Sequence, residues 1–260
     1  MASFMTTPPL SHHPLGNTGL EVAPLSLGTV KLGRDQGVKY PTRVQIPTDK
    51  EAQALLKQAN ELNINLIDTA PAYGDSERRL GQLLKGQRAQ WLLATKVGEE
   101  FINGQSVYDF STQHIQYSVK RSLENLNTDY LDIVLIHSDG RDLEILDQGA
   151  LEVLLSLKQQ GLIRAVGMSH KTIEGGQAAL AAGADVVMAT LNMDYQAELS
   201  FIEQAAQSGC GVLIKKALNS GHNSTSGLQW VAKQSGVHSI VIGTTNLDHL
   251  KQNAAIISGL

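Results

Sequence analysis

The feature that most constrains the fold is a rhythm that repeats eight times along this chain of 260 residues. Short apolar runs alternate with longer amphipathic stretches. The apolar runs predict strands at 24–29, 64–68, 91–96, 131–137, 163–169, 184–190, 210–215 and 238–243. The amphipathic stretches predict helices at 48–62, 76–86, 111–127, 147–161, 171–183, 197–209, 225–236 and 246–257. Alternating strands and helices indicate a parallel sheet, and eight such units in about 250 residues favour a closed (β/α)8 TIM barrel.

Local signals agree with this arrangement. Thr48 followed by Glu51 is a capping box for the first long helix. Residues 13–22 hold an Asn-Thr-Gly turn between short extended pieces, which predicts an N-terminal β-hairpin capping the bottom of the barrel. A doubly wound open sheet is the alternative, but it usually carries a glycine-rich phosphate loop after its first strand. The segment 27–37 lacks the G-x-G-x-x-G spacing, so the barrel is favoured.

The composition indicates a globular protein that binds neither nucleic acid nor a membrane. The chain is 42% hydrophobic and 18% charged, as in an ordinary folded domain. Residues 1–260 are therefore expected to form a single barrel domain, of which residues 1–12 form a disordered arm. The net charge of -4 offers no basic surface for nucleic acid. No apolar run approaches the roughly 20 residues of a membrane span.

A cytoplasmic location is expected from the N-terminus and from the cysteine count. The first residues lack the basic region and apolar core of a signal peptide. Cys210 is the one cysteine of the sequence, which excludes an internal disulfide and suits a reducing compartment. No Cys/His cluster has metal-ligand spacing, so no metal is expected. The oligomeric state stays open.

Four polar side chains are predicted to meet at one end of the barrel. Asp68 closes the second strand, Lys96 the third and His137 the fourth, while Tyr73 lies in the loop beyond Asp68. Active sites of α/β barrels lie at the carboxyl ends of the strands. The sequence therefore predicts an active site built from these four residues.

The four residue types suit proton donation to a carbonyl. A buried Asp68–Lys96 pair gives little net stability although breaking it costs about 3–5 kcal/mol, so a structural role explains it poorly. The Lys96 ammonium is expected to lower the pKa of Tyr73 from its usual value of about 10, which makes Tyr73 a candidate general acid. His137 is expected to hold the carbonyl oxygen. Because no side chain supplies a hydride, a nicotinamide cofactor is implied.

Three motifs give the sequence a resemblance to a known family. They are "DTAPAYGDSE" at 68–77, "ATKVG" at 94–98 and "DIVLIHSDG" at 132–140. With these motifs the chain resembles the aldo-keto reductases, from "LGNTGLEVAPLSLGT" to "IGTTNLDHLKQN". The resemblance implies a catalytic tetrad of Asp68, Tyr73, Lys96 and His137. It also implies an NAD(P)H-dependent enzyme that reduces small aldehydes and ketones to alcohols, with Tyr73 as general acid.

The resemblance also implies where the cofactor binds. Ser169 matches a nicotinamide contact, whereas His170, Met188 and Lys215 replace the usual asparagine, glutamine and stacking aromatic. Lys215 or Lys216 is an alternative partner for the phosphates. The full set implied for the cofactor is Gly28, Thr29, Ser169, His170, Met188, Lys215, Lys216, Gly243, Thr244, Thr245, Asn246, His249, Gln252 and Asn253. A phosphate is expected at the helix N-terminus after Gly243–Asn246.

The resemblance to the family favours NADP(H) as the cofactor. NAD(H) is possible because Asn246 and His249 stand where NADP-preferring members place cations. The adenine-side pair is expected at Gln252 and Asn253.

Two other functions stay open. A non-catalytic sensor or regulatory protein that binds a nicotinamide cofactor is the main alternative, because the nicotinamide contacts depart from the family pattern. A lyase that forms a Schiff base through Lys96 is the other. The sequence does not identify the physiological substrate.

Overall fold

In the computed structural model, which describes residues 8–38, 45–219 and 225–260, eight parallel strands close into a barrel. The strands of the described residues are β1 (His13–Pro14), β2 (Glu21–Val22), β3 (Leu25–Gly28), β4 (Leu66–Asp68), β5 (Leu92–Val97), β6 (Glu99–Ile102), β7 (Gln105–Tyr108), β8 (Leu131–His137), β9 (Ile163–Ser169), β10 (Val186–Thr190), β11 (Gly211–Lys215) and β12 (Ser239–Ile242). Around the barrel the order is β3, β4, β5, β8, β9, β10, β11 and β12, and β12 pairs with β3. The predicted (β/α)8 TIM barrel is confirmed.

Helices follow the barrel strands and cover their outer faces. Those of the described residues are α1 (Val30–Gly33), α2 (Asp49–Glu61), α3 (Ser76–Leu83), α4 (Thr112–Leu126), α5 (Asp142–Asp147), α6 (Ala150–Gln159), α7 (Ile173–Ala181), α8 (Leu199–Gln207), α9 (Thr225–Ala232) and α10 (Leu247–Ser258). Thr48 and Glu51 form the predicted capping box at α2. None of these helices is long and apolar enough to cross a membrane.

The barrel interior is a closed apolar core rather than a channel. Side chains from six of the barrel strands fill it, namely Leu66, Ala94, Ile133, Leu135, Ala165, Val186, Met188 and Leu213. The antiparallel β1–β2 hairpin adds Leu15, Leu20 and Val22 to the same cluster. The backbone N–H of Asn17 donates to the carbonyl of Gly209 at 2.7 Å, just before β11 begins. The hairpin therefore plugs the bottom of the barrel, as predicted.

The predicted disordered arm at 1–12 is wrong for its last five residues. Residues 1–7 lie outside the described part of the chain, but the segment 8–12 is placed and is held against the protein at Leu10. Leu10 is buried, and its backbone N–H donates to the carbonyl of Leu62 at 3.0 Å. The side chain of Asn63 donates to the carbonyl of Leu10 at 2.6 Å. The buried side chain of Leu10 and the two hydrogen bonds of its backbone therefore hold this segment.

Two elements differ from the sequence prediction. The helix predicted at 147–161 is α6 alone, and a separate helix α5 precedes it. The segment after β5 forms an antiparallel hairpin of β6 and β7, for which no element was predicted. Its turn is Asn103–Gly104, with φ of 50° and 81°, and Asn-Gly is the usual residue pair for such a turn.

Candidate active site

Strand register gathers the polar strand ends at one mouth of the barrel. Asp68 lies opposite Gly28 of β3, and His137 lies opposite Ser169 of β9. Lys96 on β5 lies between the strands that carry Asp68 and His137. Because the strands are parallel, these carboxyl ends face the same side. Four separate segments of the chain thus deliver their polar groups to one place.

Lys96 and Asp68 form a buried ion pair at the floor of this mouth. Nζ of Lys96 lies 2.6 Å from Oδ1 of Asp68, and it also donates to the carbonyl of Thr69 at 2.9 Å. The two side chains are 1% and 5% exposed, so water does not screen them. Burial works against the ammonium, but Asp68 and Tyr73 outweigh it and raise the pKa of Lys96. Lys96 is therefore a fixed cation.

Tyr73 enters the site from the 3-10 turn Pro71–Tyr73, which follows β4. Nζ of Lys96 lies 4.7 Å from the centre of its ring, and the ring meets His137 edge-on with centroids 6.2 Å apart. Burial raises the pKa of Tyr73 to about 12, although the Lys96 ammonium acts to lower it. The expected lowering of the Tyr73 pKa is therefore wrong, because desolvation of the phenol outweighs the effect of the Lys96 ammonium. The hydroxyl keeps its proton at neutral pH.

His137 ends β8 beside a carboxylate. Nδ1 of His137 lies 2.8 Å from Oε2 of Glu99 on β6, although the two are not aligned as a hydrogen bond. Burial lowers the pKa of His137 even though Glu99 acts to raise it. Burial would raise the pKa of Glu99, but His137, Ser106 and Arg34 outweigh it and lower that pKa to about 2. Glu99 is thus a carboxylate at neutral pH.

A cavity of about 240 Å³ opens above these four side chains. It contains the whole predicted tetrad and seven of the residues predicted to bind a cofactor. Its lining is Gly28, Thr29, Val30, Asp68, Tyr73, Lys96, His137, Ser169, Met188, Lys215, Lys216, Val241 and Gly243. The mouth therefore offers a neutral hydroxyl, a fixed cation and an imidazole to one small molecule.

The model of one protein family, the aldo/keto reductase family, matches residues 24–227. The chain belongs to the aldo/keto reductase family. The match runs from the first barrel strand to the start of α9, and it contains the four side chains that meet at the mouth. The resemblance drawn from the three sequence motifs is thus confirmed.

Known aldo/keto reductases and related oxidoreductases are similar to this one over different lengths. A Pseudomonas aeruginosa protein, assigned provisionally to the aldo-keto reductases, has a solved structure that is 49% identical with a TM-score of 0.91, and the match covers 98% of each chain. L-galactose dehydrogenase of Arabidopsis thaliana is 35% identical over 161 residues, which is 60% of this chain and 47% of that protein. NADH-specific methylglyoxal reductase of Escherichia coli is 32% identical over 171 residues, 60% of this chain and 51% of that protein. The chain spans about half the length of these curated relatives.

Of the residues that were predicted to contact a nicotinamide, Ser169 and Lys215 form a polar pair in the cavity, whereas the side chain of His170 lies outside it. Lys215 Nζ donates to Ser169 Oγ at 2.9 Å and to the carbonyl of His170 at 2.5 Å. Burial lowers the pKa of Lys215 to about 7. The imidazole of His170 is fully buried outside the cavity, where Nε2 lies 2.7 Å from Oε2 of Glu198. Met188, which lines the cavity, brings no polar group.

At the opposite end, the helix that was expected to bind a phosphate is already capped. The Asn246 side chain accepts from the backbone N–H groups of Asp248 and His249 at 2.8 and 3.0 Å. Asp248 also places a negative charge in the first turn of α10, which opposes an anion there. These two N–H groups are therefore engaged within the protein, and the phosphate site at this helix stays a prediction.

The remaining predicted cofactor residues lie outside the main cavity. Thr245 lines a separate cavity of about 370 Å³ together with Gln45, Pro47 and Glu51. Thr244 is buried and accepts from the backbone N–H of Asn246 at 3.1 Å. On α10, His249 and Gln252 are exposed and Asn253 is buried.

Sequence reasoning missed several residues at the mouth. Val30 and Val241 line the main cavity, and Glu99 contacts His137. A neighbouring cavity of about 430 Å³ shares four residues with the main one, and its full lining is His137, Ser169, Lys171, Thr190, Tyr195, Glu198, Lys215 and Lys216. The Asn103–Gly104 turn was the one signal that could have placed Glu99 on a hairpin beside the site.

No grouping of three or more His, Cys, Asp and Glu side chains that could hold a metal ion is present in the described ranges.

Proposed function

We propose that this aldo/keto reductase is an NAD(P)H-dependent enzyme that reduces aldehydes and ketones to alcohols. One observation carries the proposal: the side chains of Tyr73 and His137 line a single cavity together with the buried Lys96–Asp68 pair. A carbonyl in that cavity meets one proton donor and one orienting group.

Tyr73 is the proposed general acid. With its pKa near 12, the phenol is protonated at neutral pH and has a proton to give when negative charge develops on the carbonyl oxygen. The Lys96 ammonium then stabilises the phenolate that is left, because opposite charges attract strongly in a buried site. Asp68 holds the ammonium in place through the 2.6 Å contact. The positive charge of Lys96 therefore lies next to the oxygen on which negative charge develops during the reaction.

His137 is proposed to orient the carbonyl. Its ring stands edge-on to Tyr73, so both can reach one oxygen atom. A second donor on the same oxygen fixes the direction of the carbonyl and shares its developing charge.

The residues of the cavity fit the nicotinamide ring of the cofactor. The residues near α10 fit the phosphates of the cofactor less well. Ser169 and Lys215 offer a hydroxyl and an amine beside the tetrad. Gly28 at the end of β3 and Gly243 just after β12 bring no side chain into the cavity. When bound, reduced nicotinamide supplies the hydride. NADP(H) is proposed first and NAD(H) second. The second is supported by Asn246 and His249 at α10 and by the name of the NADH-specific relative.

The lyase alternative is weakened by the state of Lys96. An imine requires an unprotonated amine, whereas contacts with Asp68 and Tyr73 raise the pKa of Lys96 and keep it charged. The sensor alternative keeps cofactor binding but lacks turnover, so an assay separates it.

The test is a spectrophotometric screen of aldehydes, ketones and sugars with NADPH and with NADH. Turnover of carbonyl substrates, with a lower KM for NADPH, is the expected result. Binding of either cofactor with no turnover across the whole panel would instead establish the sensor. A lower KM for NADH would retain the reductase and reverse the cofactor assignment.

A further inference from the structure

Glu99 is a buried carboxylate that the tetrad does not account for. It is 8% exposed, and Oε2 lies 2.8 Å from Nδ1 of His137. Oε1 accepts from the hydroxyl of Ser106 at 2.6 Å across the β6–β7 hairpin. Nη1 of Arg34 lies 3.9 Å from the same oxygen. A carboxylate removed from water is costly unless it is paired in this way.

The hairpin is anchored so that Glu99 stays beside the catalytic turn. The guanidinium of Arg34 lies 3.4 Å from the centre of the Phe101 ring on β6. The same guanidinium donates to the carbonyl of Ala72 at 3.0 Å, next to Tyr73. Arg34 therefore joins the hairpin that carries Glu99 to the turn that carries Tyr73.

A carboxylate at this position dictates where the imidazole carries its proton. A neutral imidazole has one N–H, and its other nitrogen is a lone-pair acceptor. An unprotonated Nδ1 facing a carboxylate oxygen at 2.8 Å would place two lone pairs against each other. The N–H of the neutral ring must therefore lie on Nδ1. Nε2 can then donate only when the ring is doubly protonated.

We propose that Glu99 is a positioning residue that holds the proton of His137 on Nδ1, so that the form of His137 that donates to a carbonyl is the imidazolium paired with Glu99. The inference rests on the proposed function for its meaning in catalysis, but the proton assignment belongs to the resting protein. Contacts of this kind in a free enzyme are often poorly aligned and tighten in the complex, which is consistent with the present angle of the pair.

The other charged groups around His137 act in the opposite direction. Lys96 on β5 and Lys215 on β11 both oppose a second proton on the ring, and burial does the same. Tyr73 faces it as a neutral phenol. Glu99 is thus the group that favours the imidazolium against its surroundings.

The experiment is a pH titration of the full chain by nitrogen-15 NMR, which reports both the pKa and the tautomer of each histidine. Comparison with His137→Asn identifies the His137 signals. In the wild type, the neutral ring is expected to carry its proton on Nδ1. In Glu99→Gln, the pKa of His137 is expected to fall by about one unit or more, the size of shift that an adjacent opposite charge produces.

Two further variants keep the test decisive. Glu99→Asp retains the charge and is expected to keep the pKa of His137 above its value in Glu99→Gln. Glu100→Gln removes a carboxylate from the same strand and is the matched control, because Glu100 lies 3.3 Å from Nε2 of His114 instead. It should leave the pKa and the tautomer of His137 unchanged.

A proton on Nε2 in the neutral wild type, or an equal pKa of His137 in wild type and Glu99→Gln, overturns the inference. If Glu99→Gln does not fold, the wild-type tautomer alone decides. The titration needs no substrate, so its result is independent of whether any carbonyl is turned over.

Discussion

At the scale of single residues, the site depends on buried charges that are stable only when a residue of opposite charge lies beside them. Lys96 is 1% exposed and Asp68 is 5% exposed, so neither charge can turn to water when its partner is removed. A buried pair of this kind contributes little net stability, while a lone buried charge is very unfavourable. A double variant that removes both charges therefore separates the role of the pair from the cost of one unpaired buried charge, which a single variant cannot do.

Lys96→Met is expected to lower the free energy of unfolding by about 3–5 kcal/mol, because it leaves the Asp68 carboxylate buried without a cation. Adding Asp68→Asn should restore most of that loss. Urea unfolding measures both. The control is Lys57→Met. The Lys57 side chain is 78% exposed and its ammonium lies 3.8 Å from Glu61, and exposed pairs contribute at most about 1 kcal/mol. Equal losses for Lys96→Met and Lys57→Met would contradict the buried-pair account.

Lys215 should make stability depend on pH above neutrality. Burial lowers its pKa to about 7 from 10.5, so between these values the unfolded chain binds a proton that the folded chain does not. The free energy of unfolding of the wild type should therefore rise with pH across this window, and level off below pH 7, where both states are protonated. Relative to Lys215→Met, the wild type should gain stability between pH 6.5 and pH 9 in urea unfolding. A difference between the two that stays constant with pH would show that the lysine is not desolvated.

The residues that sequence reasoning found are those that share a short motif. Asp68 and Tyr73 lie within one segment of ten residues, and Lys96 and His137 each end an apolar strand. Glu99 was missed because its contact with His137 depends on how a hairpin folds back over the barrel. The orientation of His170 toward Glu198 was missed for a similar reason, because the two residues are distant in sequence and meet only in the folded chain.

At the scale of elements, the barrel depends on close approach between neighbouring strands. Gly167 on β9 lies against the backbone of Val186 on β10, and a Cβ placed there would come within 1.6 Å of the Val186 carbonyl oxygen. Backbone cannot move aside as a flexible side chain can. The pairing of β9 with β10 therefore requires glycine at this position.

Gly167→Ala should lower the free energy of unfolding by at least about 3 kcal/mol, the upper part of the range for an overpacked core. Thermal or urea unfolding checks this. Gly259→Ala is the matched control, because a Cβ there meets nothing closer than 3.5 Å, and it should be close to neutral. If Gly167→Ala is as stable as Gly259→Ala, the strand spacing at this point is not the constraint described.

Elements with a strong period were predicted well, and those defined by turns were not. The strands at 131–137 and 163–169 match β8 and β9, because runs of mostly apolar residues mark strands that are largely buried. The break between α5 and α6 and the β6–β7 hairpin were not predicted, because short turns decide them.

At the scale of the whole molecule, closure of the barrel brings three segments that are distant in sequence into one site. The order β3, β4, β5, β8, β9 places the ends that carry Asp68, Lys96 and His137 side by side. The sequence alone predicted this convergence from the count of strand–helix units. It did not predict the closed helix terminus at Asn246, because a side-chain cap and a phosphate compete for the same N–H groups.

The most direct test of the central claim is the rate of hydride transfer to an aldehyde in a single turnover, followed by stopped-flow absorbance after mixing with protein saturated with NADPH. Tyr73→Phe is expected to slow this step by roughly 10²–10⁴-fold, the usual contribution of a general acid, while the Kd for NADPH stays unchanged. Tyr117→Phe, which removes a hydroxyl from a side chain 57% exposed on α4, should react like the wild type. Transfer at the wild-type rate in Tyr73→Phe would contradict the account, because the proton would then have to come from another group.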